Sequence, residues 1–243
     1  MIHREQANAH LGYSDTPVLP DSGYCVHDGT RPQPRNVRFS GPHRVPNDAV
    51  ILFGGESNDG WVSKKTGEPA KWDVSEGIMT VVPGTGDIRT ARDFGDGHYH
   101  VEFRSPVEVK GKGQGRGNSG IFLLGLYEVQ VLDNYDNPTY ADGTVGAIYG
   151  QFPPLANPIH APGEWNAFDI IWKGPAFEGE TLVSPAVITV LLNGIVQHHA
   201  KPLQGPTKHK ELTGYEPHPD ALPLALQDHG DLVSFRNIWF RSL

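Results

Sequence analysis

The chain has a single cysteine, Cys25, so no disulfide can close within it. One thiol neither demands nor excludes an oxidising compartment. No apolar run approaches the roughly 18 residues that a membrane-spanning helix needs. Positive charge is also scarce: 20 Lys and Arg stand against 28 Asp and Glu, a formal net charge of −8. That balance speaks against nucleic acid as a partner, because phosphate neutralisation requires Lys and Arg. It disfavours an anionic membrane for the same reason. The opening MIHREQANAH has no apolar signal core, so no export signal is expected in it. Convincing helices are missing too: no stretch over ten residues combines helical period with caps, and a short turn near residues 89–94 is the one helical expectation.

What the sequence has in quantity is punctuation. Its 243 residues include 29 Gly and 21 Pro, with aromatic and β-branched segments between them. Many short strands separated by turns predict an all-β fold of two packed antiparallel sheets, with one polar, concave sheet face. Residues 1–47 are rich in Pro, His, Gly and Arg and have no sustained period. They are expected to form an extended arm packed on the domain, which occupies residues 48–243. Strands are predicted at 49–53 (buried), 71–82 (a hairpin turning at Glu76-Gly77), 98–105, 165–172, 223–229 and 234–243. The clearest local signal is AVITVLLNGIVQHHA, whose Asn193-Gly194 pair is a type I′ hairpin turn.

The stretch with most chemical content is 117–133, GNSGIFLLGLYEVQVLD. Glu128 and Gln130 alternate with Val129 and Val131, so an acid and an amide point together to one face of a strand. An ordinary half-solvated strand would show the same alternation. The spacing Glu128, Gln130, Asp133 resembles the E-x-D-x-x-E of sandwich-fold laminarinases and lichenases, whose two carboxyl groups stand about 5–5.5 Å apart. Here the middle residue is an amide, and the odd offset turns Asp133 to the other face unless a bulge intervenes. A retaining glycosidase is therefore the weaker reading.

Other constellations carry less. Gln227 and His229 share a face at the end of a strand, and imidazole is the usual proton-transfer group near neutral pH. His98, His100 and Glu102 also share a face, but three ligands along one strand spread over roughly 13 Å, too far to close on one ion. Glu102 and Arg104 are expected as a polar pair on the concave face. His198 and His199 are expected at the surface. The loop GKGQGRGNSG lacks the order of a phosphate-binding loop. Its glycines would let the backbone approach a ligand, with Gln114, Arg116 and Asn118 reaching hydroxyls. Trp72, Trp165, Trp172 and Trp239 are expected in the core, and Trp61 is the best candidate for an exposed platform.

The strings LFGGESNDGWVS, GNSGIFLLG, YEVQVLD, GEWNAFDIIWKG, VLLNG and LQDHGDLVSFRNIWFRSL, in that order, resemble the 3-keto-disaccharide hydrolase domain family. The resemblance runs over residues 50–243 and implies a concanavalin- or laminarinase-like jelly-roll sandwich. It also implies exported, periplasmic or secreted proteins that cleave glycosides oxidised to a ketone at C3. The arm is similar to the N-terminal extension of exported members. One departure is the pair Leu124 and Leu126, where relatives often carry polar or basic residues.

That chemistry suits the residues above. A C3 carbonyl acidifies the proton on C2, so a base can remove it while the aglycone leaves C1, and water then adds to the enone. The reaction needs a base, an acid and donors for the enolate. Glu128 and His229 are the candidates for proton transfer. Glu102, Arg104, Arg116, Asn118, Gln130, Asp133, Tyr149 and Gln227 are the candidates for holding the sugar. A divalent ion near Glu102, Glu128 or His229 would stabilise an enolate, although no spacing demands one. The rivals are a non-catalytic carbohydrate-binding module and the retaining laminarinase-type enzyme.

Overall fold

A computed structural model describes residues 12–41 and 44–243. The chain divides into two units, Met1–Arg38 and Phe39–Leu243. In the first, an antiparallel bridge joins Val18 to Cys25, and the Tyr13 amide donates to the His27 carbonyl at 2.8 Å. The MIHREQANAH stretch and Pro42, both assigned to the expected arm, lie outside the described residues.

The second unit is built from strands β1 (Phe39–Ser40), β2 (Val45–Pro46), β3 (Val50–Phe53), β4 (Trp61–Ser63), β5 (Asp73–Ser75), β6 (Ile78–Thr80) and β7 (Ile88–Thr90). There follow β8 (Gly97–Arg104), β9 (Ser119–Leu123), β10 (Tyr127–Val131), β11 (Asn166–Lys173), β12 (Ala176–Glu178) and β13 (Thr181–Ser184). The chain closes with β14 (Val187–Leu192), β15 (Ile195–Pro202), β16 (Thr207–Lys208), β17 (Glu211–Leu212), β18 (Ala225–Leu226) and β19 (Ser234–Ser242). A five-stranded sheet runs β10-β9-β18-β7-β4, and an eight-stranded one runs β15-β14-β11-β8-β19-β6-β5 with β3 also on β19. All the pairings are antiparallel. This is the all-β sandwich expected.

Period-two alternation decides what enters the space between the sheets. From the large sheet come Val101, Phe103, Phe168, Ile170, Trp172, Val190 and Phe235, and from the small one Ile88, Ile121, Leu123, Tyr127, Val129, Val131 and Leu226. Tyr127 packs on Trp172 with ring centroids 4.9 Å apart, locking the two layers together. Each such side chain contributes about 1.5–3 kcal/mol by leaving water.

The turns follow their chemistry. Glu76-Gly77 and Asn193-Gly194 both take left-handed φ pairs, 52° and 79°, then 52° and 77°, as type I′ hairpins require. Other expectations change. Residues 89–94 form no helical turn: β7 ends at Thr90 and Phe94 makes an isolated bridge to Leu222. β3 is only partly buried, since it pairs with β19 and leaves Ile51 exposed. Register shifts in the β14–β15 ladder put two successive residues, Gln197 and His198, inward. His198 is therefore buried rather than superficial, with Nε2 at 3.0 Å from the Gly146 carbonyl. Burial pulls its pKa down. Trp61 is fully buried and donates to the Leu52 carbonyl, so it is no platform. Trp165 is half-exposed instead, beneath the guanidinium groups of Arg104 and Arg236.

Candidate functional site

The β9–β10 hairpin sets the site. Leu123 faces Tyr127 across the turn, and the register places Glu128 opposite Phe122 and Gln130 opposite Gly120. Since Tyr127, Val129 and Val131 fill the core, Glu128 and Gln130 point out of the far side of the small sheet. Gly120 leaves the room they need: a Cβ there would stand 2.5 Å from Glu128 Oε1. Leu124 and Leu126 fall in the turn, one in the core and one packed against it, and neither borders the site.

The hollow beneath Glu128 has a volume of about 190 Å³ and is lined by Gln114, Asn118, Glu128, Gln130, Tyr140, Tyr149, His209, Gln227 and His229. Seven of the eleven residues singled out in the sequence for ligand contact or proton transfer converge there: Gln114, Asn118, Glu128, Gln130, Tyr149, Gln227 and His229. Gln227 arrives because its amide bonds the Gly120 carbonyl at 3.0 Å, continuing β18 alongside β9. Asp228 then pins the rim, accepting from the amides of Gly86 and Gly230, and His229 stands exposed at the mouth.

Glu128 is 7% exposed, and its carboxyl makes no hydrogen bond to any described residue. Burial, reinforced by the charge of Asp87 and only partly offset by Lys64, pushes its pKa up to about 8. Gln130 is buried as well. Its Nε2 donates to Gln114 Oε1 at 3.0 Å and to the Gly143 carbonyl at 3.2 Å, which fixes the amide's orientation. Its Oε1 has no donor among the described residues. A buried acceptor without a partner costs roughly 1–3 kcal/mol. Asn118 donates from Nδ2 to the Gln114 carbonyl at 2.7 Å. On the opposite wall Tyr149 shares its hydroxyl with Tyr140 and with His209 Nδ1, each at 2.9 Å. Burial and the Tyr140 hydrogen bond raise the Tyr149 phenol above its ordinary range.

The other four candidates lie elsewhere. Arg116 Nε bonds Asp133 Oδ2 at 2.7 Å, and the pair borders a separate hollow of about 270 Å³. Asp133 is off the Glu128 face, as its odd offset along the strand predicts, although Leu132 beside it packs in the core. No carboxylate pair of the retaining-glycosidase kind therefore forms in the hollow, where Glu128 is the one carboxylate among the described residues. Glu102 and Arg104 lie on the outer face of the large sheet, because β8 gives Tyr99, Val101 and Phe103 to the core. There Glu102 is bound by Arg236 and Asn237, while Asp169 Oδ1 accepts from His98 at 3.0 Å and His100 at 2.8 Å. His100 stacks on Trp239 with the rings 9° from parallel. Burial works against charging His100, yet the bonds to Asp169 and Glu102 prevail and bring its pKa to about 9. Burial likewise opposes ionisation of Glu102, but the bonds from His100, Asn237 and Arg236 hold it down at about 2.

No group of three His, Cys, Asp or Glu that could hold an ion occurs among the described residues. The donors in the hollow, one carboxylate with imidazoles, phenols and amides, do not fit a divalent ion. No helix among the described residues is long and apolar enough to cross a membrane. Tyr140 and His209 were not anticipated. They come from a loop and a short hairpin far apart in sequence, and their only local signal was an aromatic ring or imidazole among turn residues.

Residues 48–241 match the model of the 3-keto-alpha-glucoside-1,2-lyase-like domain. A 3-keto-disaccharide hydrolase of Bacteroides thetaiotaomicron is 27% identical over 235 residues, covering 80% of this chain and 79% of that protein. A solved candidate glycosyl hydrolase from Parabacteroides distasonis is 40% identical with a TM-score of 0.85, over 95% of this chain and 100% of that one. A second from the same organism, at 19% identity and TM-score 0.61, covers 81% of this chain and 94% of its own, and is like it in fold.

Proposed function

The chain belongs to the 3-keto-alpha-glucoside-1,2-lyase-like domain family, and on that premise we propose that it cleaves glycosidic bonds in sugars already oxidised at C3. The similarity to a 3-keto-disaccharide hydrolase supports this substrate class. The observation that carries the chemistry is Glu128: a carboxyl with no hydrogen-bond partner among the described residues, raised to about 8, at the wall of a polar hollow. A base of that pKa is far better matched to a carbon acid than an ordinary carboxylate, yet part of it is ionised near neutral pH.

In this reading the oxidised ring enters the hollow and Glu128 takes the proton from C2. The electron pair of that C–H bond forms the C1–C2 double bond as the C1–O bond breaks. His229, exposed at the mouth, gives the departing oxygen its proton. Water then adds across the enone, oxygen to C1 and hydrogen to C2, leaving a free 3-keto sugar. Asn118, Gln130 and Gln227 supply the polar lining around the ring. Amide donors near developing enolate charge are worth more in such a partly dry hollow than in water.

The test is direct. A 3-keto-glucoside and its unoxidised parent are each incubated with the protein, and product is followed by mass spectrometry. Cleavage of the ketone alone is the expected result. Cleavage of the parent at a similar rate, or binding of either without turnover, contradicts the proposal.

A further inference from the structure

A row of outward positions crosses the small sheet beside Glu128. The β10–β9 register sets Gln130 against Gly120, and the Gln227 amide bonds the Gly120 carbonyl at 3.0 Å. The next amide along, that of Asp228, bonds Asp87 Oδ1 at 3.0 Å, while the Asp228 carboxylate accepts from the Gly86 amide at 2.9 Å. Asp87 immediately precedes β7, whose Ile88 enters the core, so period two turns Asp87 to the outer face that Glu128 occupies. Just beyond β4, the Lys64 amide donates to the Asp87 carbonyl at 2.8 Å, and the Lys64 ammonium stands 3.9 Å from Asp87 Oδ2. That ammonium also reaches the Gly125 carbonyl at 3.3 Å and lies 4.8 Å from the centre of the Phe122 ring. Phe122 is the residue paired with Glu128. A methyl group on Gly120 would meet both the Phe122 ring, at 2.8 Å, and Glu128 Oε1, at 2.5 Å. One carboxyl, one ring, one ammonium and a second carboxylate thus share one sheet face.

We propose that Asp87 and Lys64 form a positioning pair for the proton-transfer residues: Asp87 seats the turn that carries His229 and sets its charge against the Glu128 carboxyl, while Lys64 limits that charge. The inference rests on the reading that Glu128 and His229 transfer protons. Around the carboxyl the titratable groups are Tyr140, Tyr149 and His209 on the far wall, His229 at the mouth, and Asp87 and Lys64 from the strands beside it. Arg89, also on β7, donates instead to the Thr90 carbonyl at 3.2 Å. Burial already disfavours ionisation of Glu128, the Asp87 carboxylate disfavours it further, and the Lys64 ammonium opposes both. The Lys64 and Asp87 side chains are 36% and 31% exposed, so water and salt screen them and each acts modestly. Asp87 touches no part of the hollow itself and works through Asp228 and through its charge.

NMR of isotope-labelled glutamate carboxyls tests this without any substrate, the Glu128 resonance being the one lost in Glu128→Gln. Asp87→Asn keeps an oxygen for the Asp228 amide and removes only the charge, so it should lower the Glu128 titration midpoint by about half a pH unit. Lys64→Met should raise the midpoint by a similar amount, and both displacements should shrink at high salt. Asp87→Ala removes the acceptor as well. It should lower kcat on a 3-keto-glucoside about tenfold, with Asp87→Asn restoring most of the loss. The limb of kcat/KM near pH 8 should follow the midpoint in Asp87→Asn and Lys64→Met. Midpoints unchanged in both of those variants overturn the electrostatic half of the proposal, and wild-type kcat in Asp87→Ala overturns the seating of His229. Midpoints that move while the kinetic limb stays in place uphold the pair's hold on Glu128 and overturn the proposed reaction instead.

Discussion

The two sheets of the sandwich each carry an outer row of polar residues, and the rows look alike in sequence. On the large sheet His98, His100, Glu102 and Arg104 alternate with core residues. On the small sheet Glu128 and Gln130 do the same. Their saturation separates them. Glu102, His100 and Asp169 are satisfied by one another, by Arg236 and by Asn237, and the pKa values of Glu102 and His100 move towards charge. Among the described residues Glu128 has no such partner and moves towards neutrality, and Gln130 Oε1 has no donor. A row whose demands are met internally holds the fold, whereas a row with demands unmet is available to a ligand.

The sharpest way to break this contrast is Glu128→Gln. It should lower kcat/KM on a 3-keto-glucoside roughly 10²-fold or more, and His229→Ala should act in the same range. Wild-type turnover in both would erase the distinction between the rows. Next comes Gly120→Ala, whose methyl group would meet Glu128 Oε1 at 2.5 Å. Displacing the carboxyl by even ~1 Å should cost ten- to a hundredfold in kcat, with the protein still folded by circular dichroism.

The opposite pattern is expected of Glu102→Gln. It leaves Arg236 and Asn237 short of an acceptor charge and should lower stability by about 1–3 kcal/mol in urea titrations, with kinetics near wild type. A large kinetic defect there would bring the two rows back together.

Stability against pH separates the two rows in a different way. The folded protein holds the Glu128 proton up to about pH 8, whereas an ordinary glutamate releases it near 4.5. Between those values the unfolded chain binds fewer protons, so this residue's contribution to stability declines as pH rises. Glu128→Gln should remove that decline and be relatively more stable than wild type at pH 9 than at pH 6. His100 has its own window: its raised pKa supplies stability below about pH 6.5 that fades as pH rises through about 9. Glu128→Gln should leave that second slope in place.

Much of this was legible in the sequence because strand alternation is local. Period two placed Glu128 with Gln130 and Gln227 with His229, and the Asn193-Gly194 turn fixed its hairpin. Alternation does not say which sheet a strand joins, so Glu102 and Arg104 were grouped with Glu128 although β8 lies in the other layer. Nor does it survive irregularity: the bulged β14–β15 ladder buried His198. Tyr140 and His209 reach the hollow from separate loops, and only tertiary closure brings them together.

The pH dependence of kcat/KM for a 3-keto-glucoside tests the central claim most directly, with wild type and Glu128→Gln compared over pH 6–10. The wild-type rate should pass through a maximum, rising as the Glu128 carboxyl ionises and falling as His229 loses the proton it donates, with one limb near 8. The rising limb should vanish in the variant. A limb near pH 8 that persists in Glu128→Gln, or a wild-type profile that has already levelled off near pH 5, would contradict it.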